Sequence, residues 1–404
     1  MIFFIIFLGT TLVLFASSPW ALVLSGGGAR GAYEAGALKA IKELNLNVKG
    51  VYGTSVGALN GAFYVQDDVT ELYEMWQNLS LENVMELPST SSTNIFRLPL
   101  SKIYKVISSG GFNVSPLAFL ISKHLDEEKV RKSGIDFGLV TIDVSNFVPL
   151  ELYISDIPSG KLIDYLMASA NYPLFQRWKI GKNIYIDGGF YNNAPVSMAL
   201  KKGFKRILLI DISDIPIFLP KIPQPVELKV IKPSGPIGNA MEFVPSQERI
   251  WEEMGYLDTM KFFGKLVGKR YYIYPSSKNI LIDAMLEMKK EEIEKLSKIL
   301  GISTDNESLD FTVYEKIIPK LLNYFPSSSS FEELNLSVLE CVASYLNVPR
   351  LKAYTQYSLC QAILSTKIPS KSFWESWDTK SKKIVEFVKE ICGKIKIDNK
   401  TKVR

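Results

Sequence analysis

Residues 20–31 read WALVLSGGGARG, and this stretch predicts a buried strand that turns directly into a helix. Residues 20–24 are a continuous apolar run that ends close to glycines, the pattern of a strand buried on both faces. From residue 32 to residue 44 apolar side chains recur at helical spacing. The glycines leave backbone N–H groups unobstructed at the start of that helix, where an anion is stabilised.

A second strand and helix follow, joined by the sequence GTSVG at residues 53–57. Gly53 and Gly57 flank Ser55 and allow a sharp strand-to-helix turn that presents the serine hydroxyl at the top of a sheet. Ser55 is therefore a candidate nucleophile, although a serine hydroxyl needs a nearby base.

The glycine loop also satisfies the dinucleotide pattern GxGxxG through Gly26, Gly28 and Gly31. That pattern requires an acidic residue at the end of the second strand to hold a ribose. The second strand ends in Val51, Tyr52 and Gly53, without one. We therefore expect no nucleotide and no other cofactor, and we interpret the loop as a site for a transient oxyanion.

The order of elements predicts an α/β fold with a mainly parallel central sheet flanked by helices. Further strands are expected at residues 138–143, 150–154, 183–186 and 206–210. Residues 66–131 are mostly helical in pattern, with a Ser/Thr-rich loop at 89–94, and we expect them to shape a substrate groove. The predicted parts are an apolar segment (1–19), the α/β domain (20–275) and a Lys/Glu-rich helical region (276–404).

His124 is the single histidine of the chain. In the α/β-hydrolase order the histidine follows both serine and acid, and His124 does not. It continues the helical spacing of Leu117, Leu120 and Ile121, so it is expected on a packed helix face. Any base beside Ser55 must then be a carboxylate or a lysine.

Three aspartates follow strand-like runs and are candidates for that base. Asp187 precedes Gly188 and Gly189, which leave its side chain unobstructed at a strand end. Asp143 and Asp211 also end strands, and both have an alternative role as turn formers or helix caps.

The ordered set GGGARG, GTSVG and DGG resembles the patatin-like phospholipase family, including its bacterial members. The likeness extends over residues 20–275 and includes Ala168-Ser169, Pro173, Phe175, Asn192-Asn193, Pro195, GFNVSPL at 111–117 and Gly255-Tyr256. Gln176 departs from the family, in which proline is common at that position.

The resemblance implies a three-layer fold and a Ser–Asp dyad. Ser55 would attack an ester carbonyl, Asp187 would accept its proton, and the backbone of Gly26, Gly27 and Gly28 would stabilise the oxyanion. Arg30 would hold the glycine loop or meet a phosphate. The remaining motif glycines would support the turns: Gly31, Gly53, Gly57, Gly188 and Gly189.

The expected function is hydrolysis of lipid acyl esters, of the phospholipase A or lysophospholipase kind, without a metal. Two alternatives remain open at this point: a catalytically idle lipid-binding or scaffolding protein of the same fold, and a nucleotide-binding enzyme. Head group, acyl position and oligomeric state are not predicted.

A net charge of +5 over 404 residues gives no argument for nucleic acid and is compatible with an anionic membrane surface. Residues 380–404 carry nine basic and three acidic residues. Apolar positions at helical spacing make this tail either a membrane-binding amphipathic helix or a packed terminal helix.

Two terminal features bear on localisation. Residues 1–19 are strongly apolar but short for a membrane span, which leaves an anchor, an uncleaved signal, an over-extended start or a tucked-in arm. The three cysteines are expected to be buried thiols, which favours a reducing compartment. We expect a cytoplasmic or peripherally membrane-associated protein, with an N-terminal anchor as the open alternative.

Overall fold

The computed structural model describes residues 18–87, 108, 110–214, 216–305, 307–367 and 378–395. These residues form two compact units, Met1–Thr259 and Met260–Arg404. The boundary predicted after residue 275 lies inside the second unit. Residues 1–17 of the predicted apolar segment lie outside the described residues. The predicted loop at 89–94 also lies outside them.

The first unit contains an eight-stranded sheet. Its strands are β1 (Trp20–Leu24), β2 (Val48–Thr54), β3 (Asp136–Asp143), β4 (Val148–Tyr153), β5 (Trp178–Ile180), β6 (Asn183–Asp187), β7 (Arg206–Ile210) and β8 (Glu227–Ile231). Strands β3, β2, β1, β7 and β8 are parallel neighbours, and β4, β5 and β6 add antiparallel pairs at one side. The predicted mainly parallel sheet is confirmed.

The described helices of this unit are α1 (Gly31–Glu43), α2 (Val56–Val65), α3 (Val69–Asn78), α4 (Leu81–Val84), α5 (Ser115–His124), α6 (Glu127–Lys132), α7 (Leu162–Ser169), α8 (Val196–Lys201) and α9 (Pro245–Phe262). They cover both faces of the sheet. Ala21 and Val23 of β1 pack with Met198 of α8, and Leu24 lies on the opposite face beside Gly61 of α2. Every residue of β1 is buried, as its apolar run predicted.

The register of β3 decides where the ends of β2 and β6 lie. One edge of β3 pairs with β4, so β2 and β6 share the other edge. Along that edge Val140 is the partner of Thr54, and the next residue, Thr141, is the partner of Asp187. The end of β2 and the end of β6 therefore meet, although they are far apart in the sequence.

The second unit is mainly helical, with α10 (Ile280–Glu287), α11 (Lys290–Leu300), α12 (Leu309–Phe311), a π-helical turn at Thr312–Ile317, α13 (Ile318–Tyr324), α14 (Phe331–Tyr345), α15 (Gln356–Ser365) and α16 (Thr379–Lys394). Two short parallel strands, β9 (Tyr272–Ile273) and β10 (Ala353–Tyr354), complete it. The helices enclose an apolar core of their own.

The predicted amphipathic helix of the basic tail is observed as α16. Its apolar stripe, Ile384, Phe387, Val388 and Ile391, is at most 2% exposed and belongs to the core of the second unit. The packed-helix alternative is therefore the observed one. No helix among the described residues combines the length and the hydropathy that a bilayer crossing requires.

The expectation of three separate thiols is wrong for two of the cysteines. Cys360 on α15 and Cys392 on α16 form a disulfide, with their Cα atoms 5.4 Å apart, and Cys341 is a free thiol. Packing of the two helices brings together positions that sequence spacing keeps apart. The argument for a reducing compartment loses its basis.

Candidate active site

Ser55 lies on the sharp turn between β2 and α2, as the sequence predicted. Its backbone has φ 56° and ψ −127°, a strained conformation for a residue with a side chain. A Cβ on Gly53 would lie 2.3 Å from the Gly57 carbonyl oxygen, and one on Gly57 would lie 2.5 Å from the Leu24 carbonyl oxygen. Only glycine fits at both positions, and this close approach allows the turn to form.

Ser169, at the end of α7, stabilises this turn. Its hydroxyl accepts a hydrogen bond from the Ser55 N–H at 2.9 Å and donates one to the Val140 carbonyl at 2.6 Å. All three groups are buried. Ser169 thus ties the strained residue to the adjacent strand β3.

Asp187 ends β6 and faces Ser55 because of the β3 register described above. Its carboxylate accepts a hydrogen bond from the Gly189 N–H at 2.7 Å. Burial raises the pKa of Asp187 to about 6, and interactions with the Ser55 side chain and the Gly189 N–H keep that pKa from rising further. A carboxylate with this pKa is ionised at neutral pH and is more basic than an exposed aspartate.

The glycine loop lies next to Ser55 but does not offer all three of its predicted N–H groups. The Gly26 N–H donates to the Asn193 carbonyl at 3.1 Å. The N–H groups of Gly27 and Gly28 have no acceptor within the part of the chain that the structure describes. Gly28 has a φ of +59°, and a Cβ there would lie 2.0 Å from the Ala240 carbonyl oxygen. The observed geometry leaves Gly27 and Gly28 as the available donors.

Arg30 is buried and holds the glycine loop in place. Its Nε donates to the Gly238 carbonyl at 2.9 Å, and its guanidinium forms an ion pair with Asp214. Gly31, the next residue, is packed against Val56 and Trp76, where a Cβ would clash. Of the two roles considered for Arg30, these contacts agree with holding the glycine loop and not with binding a phosphate.

The other candidate residues lie away from the Ser55 hydroxyl. His124 ends α5 and pairs with Glu71. Asp143 accepts hydrogen bonds from the N–H groups of Ser145 and Asn146, as a turn former does. Asp211 accepts from the Ser213 N–H and pairs with Lys232.

A cavity of about 770 Å³ opens beside Ser55 and Asp187. Its wall is mainly apolar and includes Phe63 of α2, Met75 and Trp76 of α3, and Leu117 and Leu120 of α5. The predicted groove-forming segment therefore contributes α3 and α5 to this wall. A cavity of this size and polarity suits the hydrocarbon part of a small ligand.

Two asparagines shape the site in ways that the sequence did not indicate. The Asn193 side chain donates to the Gly26 carbonyl at 3.1 Å and to the Ser213 hydroxyl at 2.9 Å. Asn60 donates to the Gly31 carbonyl and accepts from the Trp76 indole, both at 3.0 Å. A polar residue in a helix of otherwise small and apolar residues was the available signal for Asn60. Asn193 was noted only as part of the family resemblance.

Residues 22–200 match the family described as Patatin-like phospholipase. Patatin-like phospholipase domain-containing protein 7 of Rattus norvegicus is 27% identical over 196 residues, which cover 48% of this chain and 13% of that protein. Lysophospholipase nte1 of Aspergillus terreus is 49% identical over 197 residues, 48% of this chain and 12% of that protein. The chain thus matches only about an eighth of the length of these curated relatives.

Among solved structures, that of VipD from Legionella pneumophila is similar with a TM-score of 0.39. The two chains are 13% identical, and the match covers 94% of each.

Proposed function

Because residues 22–200 belong to the patatin-like phospholipase family, we propose that this chain is a serine hydrolase that cleaves lipid acyl esters through the dyad Ser55 and Asp187. The observation that carries the proposal is that Ser55 and the buried carboxylate of Asp187 lie in the wall of one cavity and interact there. Beside them, the Gly27 and Gly28 N–H groups have no acceptor among the described residues. These are the parts that acyl transfer needs: a nucleophile, a base and oxyanion donors.

In the first half of the proposed reaction, Asp187 takes the hydroxyl proton while the Ser55 oxygen attacks the ester carbonyl carbon. The carbonyl oxygen becomes an oxyanion and accepts hydrogen bonds from the Gly27 and Gly28 N–H groups. The C–O bond to the alcohol then breaks, and the alcohol leaves with the proton from Asp187. The acyl group remains on Ser55.

In the second half, Asp187 takes a proton from a water molecule, which attacks the acyl carbon. The oxyanion forms again at the same N–H groups. The bond to Ser55 breaks, the serine oxygen regains a proton, and the free acid departs. No metal is needed in either half.

The proposed substrate is an ester with a long hydrocarbon acyl chain. The apolar wall formed by α3 and α5 supports this, because burial of a hydrocarbon chain there releases water from both surfaces. Lysophospholipids and phospholipids both satisfy this requirement, in keeping with the lysophospholipase name of one relative.

The test compares wild type with Ser55→Ala and Asp187→Asn on a short-chain nitrophenyl ester and on a lysophospholipid. We expect each substitution to lower kcat by at least about a thousandfold, the scale of losing a nucleophile or its base. His124→Ala is the matched control and should keep wild-type turnover. Wild-type rates in either dyad variant would overturn the proposal.

Labelling with a fluorophosphonate separates hydrolysis from the alternative of an idle lipid-binding protein. An active Ser55 should take up the label, and the Asp187→Asn variant should react far more slowly. A wild-type protein that binds lysophospholipid but takes up no label would favour the idle alternative.

A further inference from the structure

We propose that the mouth of the active-site cavity docks on an anionic lipid surface, with Phe218 and Leu219 inserted among the acyl chains. This inference rests on the proposed function, because it supplies the route by which a lipid ester leaves an aggregate and reaches Ser55. The surface is defined here as the mouth patch: Tyr172, Phe190, Tyr191, Phe218 and Leu219.

The mouth patch consists of large apolar side chains in contact with water. Phe218 is 95% exposed, Phe190 61% and Tyr191 55%, and all three also line the cavity. A residue that is exposed and also lines a cavity must lie at its opening. Tyr172 packs against Phe190 in a tilted arrangement, with ring centroids 6.1 Å apart, which extends the aromatic surface. Clustered exposed apolar side chains of this kind mark an interaction surface.

Phe218 and Leu219 lie on a proline-rich loop that connects β7 to β8. The loop is held at its start, where the Ile212 N–H donates to the Ser25 hydroxyl at 2.9 Å. Ile217 and Ile222 pack against the apolar core between the sheet and α8. Their neighbours Phe218 and Leu219 face water instead, so the two outward side chains are presented by an anchored loop.

Exposed basic side chains lie within seven sequence positions of mouth-patch residues. Arg177 and Lys179 are exposed, and neither has a carboxylate partner among the described residues. Arg177 follows Phe175, a cavity-lining residue, by two positions, a distance of about 7 Å in extended chain. Lys221 is also exposed, two positions after Leu219. Unpaired cations around an apolar patch are attracted to anionic head groups.

A lipid surface fits this patch better than a protein partner does. Four of its five residues line the cavity that contains Ser55 and are exposed at its opening, and a protein seated there would cover that opening. A bilayer or micelle seated there delivers its own molecules into the apolar cavity. Tyr172 and Tyr191 also suit a membrane interface, because each combines an apolar ring with a polar hydroxyl.

The apolar part of the proposal is tested by vesicle flotation with the full chain carrying Ser55→Ala, so that no lipid is consumed. The vesicles contain phosphatidylcholine alone or with about 30 mol% phosphatidylglycerol. Adding Phe218→Ala and Leu219→Ala should lower the partition coefficient on mixed vesicles at least tenfold, because two inserted side chains are lost. Phe147→Ala is the matched control, since Phe147 is 89% exposed but does not line the cavity.

The charge part uses Arg177→Ser with Lys179→Ser in the same background. This pair should weaken binding about tenfold on mixed vesicles and leave binding to neutral vesicles unchanged. Lys49→Ser with Lys205→Ser is the control, because both residues are exposed at the starts of β2 and β7, at the end of these strands away from Ser55. Equal losses in the test and control variants, or wild-type binding in all of them, would overturn the proposal.

Failure here is distinguishable from failure of the proposed function. Vesicle binding by the Ser55→Ala chain requires no turnover, and hydrolysis of a short nitrophenyl ester requires no vesicle. If the Ser55→Ala chain binds no vesicles but binds a protein through the mouth patch, the patch is a protein interface. That result would also overturn this proposal.

Discussion

The burial of Asp187 gives the proposed reaction its pH dependence. The carboxylate must be ionised to accept the Ser55 proton, and its pKa is raised to about 6. We expect kcat/KM for a soluble nitrophenyl ester to be constant above that pH and to fall about tenfold per unit below it. A pH–rate profile that stays flat well below this pKa would contradict the assignment of Asp187 as the base.

The same pKa shift affects stability, with a definite sign. The pKa of Asp187 rises from an ordinary value of 3.8 to about 6 on folding, so the native state binds the proton more tightly. Stability from this group is present at low pH and is lost as the pH rises through that window. As the pH rises from acid to neutral, wild type should therefore lose up to about 3 kcal/mol in free energy of unfolding through this group. Asp187→Asn lacks the group and should not show this loss. Urea unfolding of both proteins at the two ends of the window measures it.

Ser169 is expected to affect turnover without touching the substrate. Ser169→Ala leaves the buried Ser55 N–H without its acceptor, which should cost about 1–3 kcal/mol of stability. Because the turn that presents the nucleophile relaxes, kcat should fall while KM changes little. Ser145→Ala is the control: its hydroxyl also accepts a backbone N–H, from Ile184, and its loss should leave kcat unaltered.

For single residues, the sequence predicted which positions lie on turns better than it predicted their hydrogen-bond partners. Glycines around Ser55 and after Asp187 indicate turns at strand ends, and that local signal was sufficient to place both residues on such turns. The occupied N–H of Gly26 was not predictable, because its acceptor, the Asn193 carbonyl, is supplied by a distant loop. Long-range hydrogen bonds of this kind leave no periodic trace in the sequence.

Helices α3 and α5 form part of the wall of the proposed acyl cavity. Leu120→Trp enlarges a wall side chain, and we expect it to lower kcat/KM for long-chain nitrophenyl esters by at least about tenfold relative to short-chain ones. Phe119→Trp, on the neighbouring position that is 70% exposed, should keep the wild-type ratio. Identical chain-length profiles for wild type and Leu120→Trp would place the acyl chain elsewhere.

Elements with strong periodicity were predicted, and weak ones were not. The helix from Ser115 to His124 and the strand β7 appear where spacing placed them. The strands β5 and β8 were missed, since β5 has three residues and both are only partly buried. Short, half-exposed strands depend on their neighbours for pairing, so local pattern is a poor guide to them.

For the whole molecule, the second unit offers a direct chemical check. Under denaturing conditions without reductant, thiol titration should find one reactive group, Cys341, and three after reduction. Closing a loop between Cys360 and Cys392 should stabilise the unit by about 3–4 kcal/mol. Reductant should accordingly lower its melting temperature. Three thiols before reduction would contradict the disulfide.

The shared edge of β3 has a consequence for how activity appears during folding. Ser55 and Asp187 meet only when β2 and β6 have both paired with that edge in the right register. Such pairings join distant parts of the chain, and they form later than local helices. After dilution from denaturant, helical circular dichroism should therefore recover before esterase activity does, so hydrolysis reports when the last long-range strand pairing is complete.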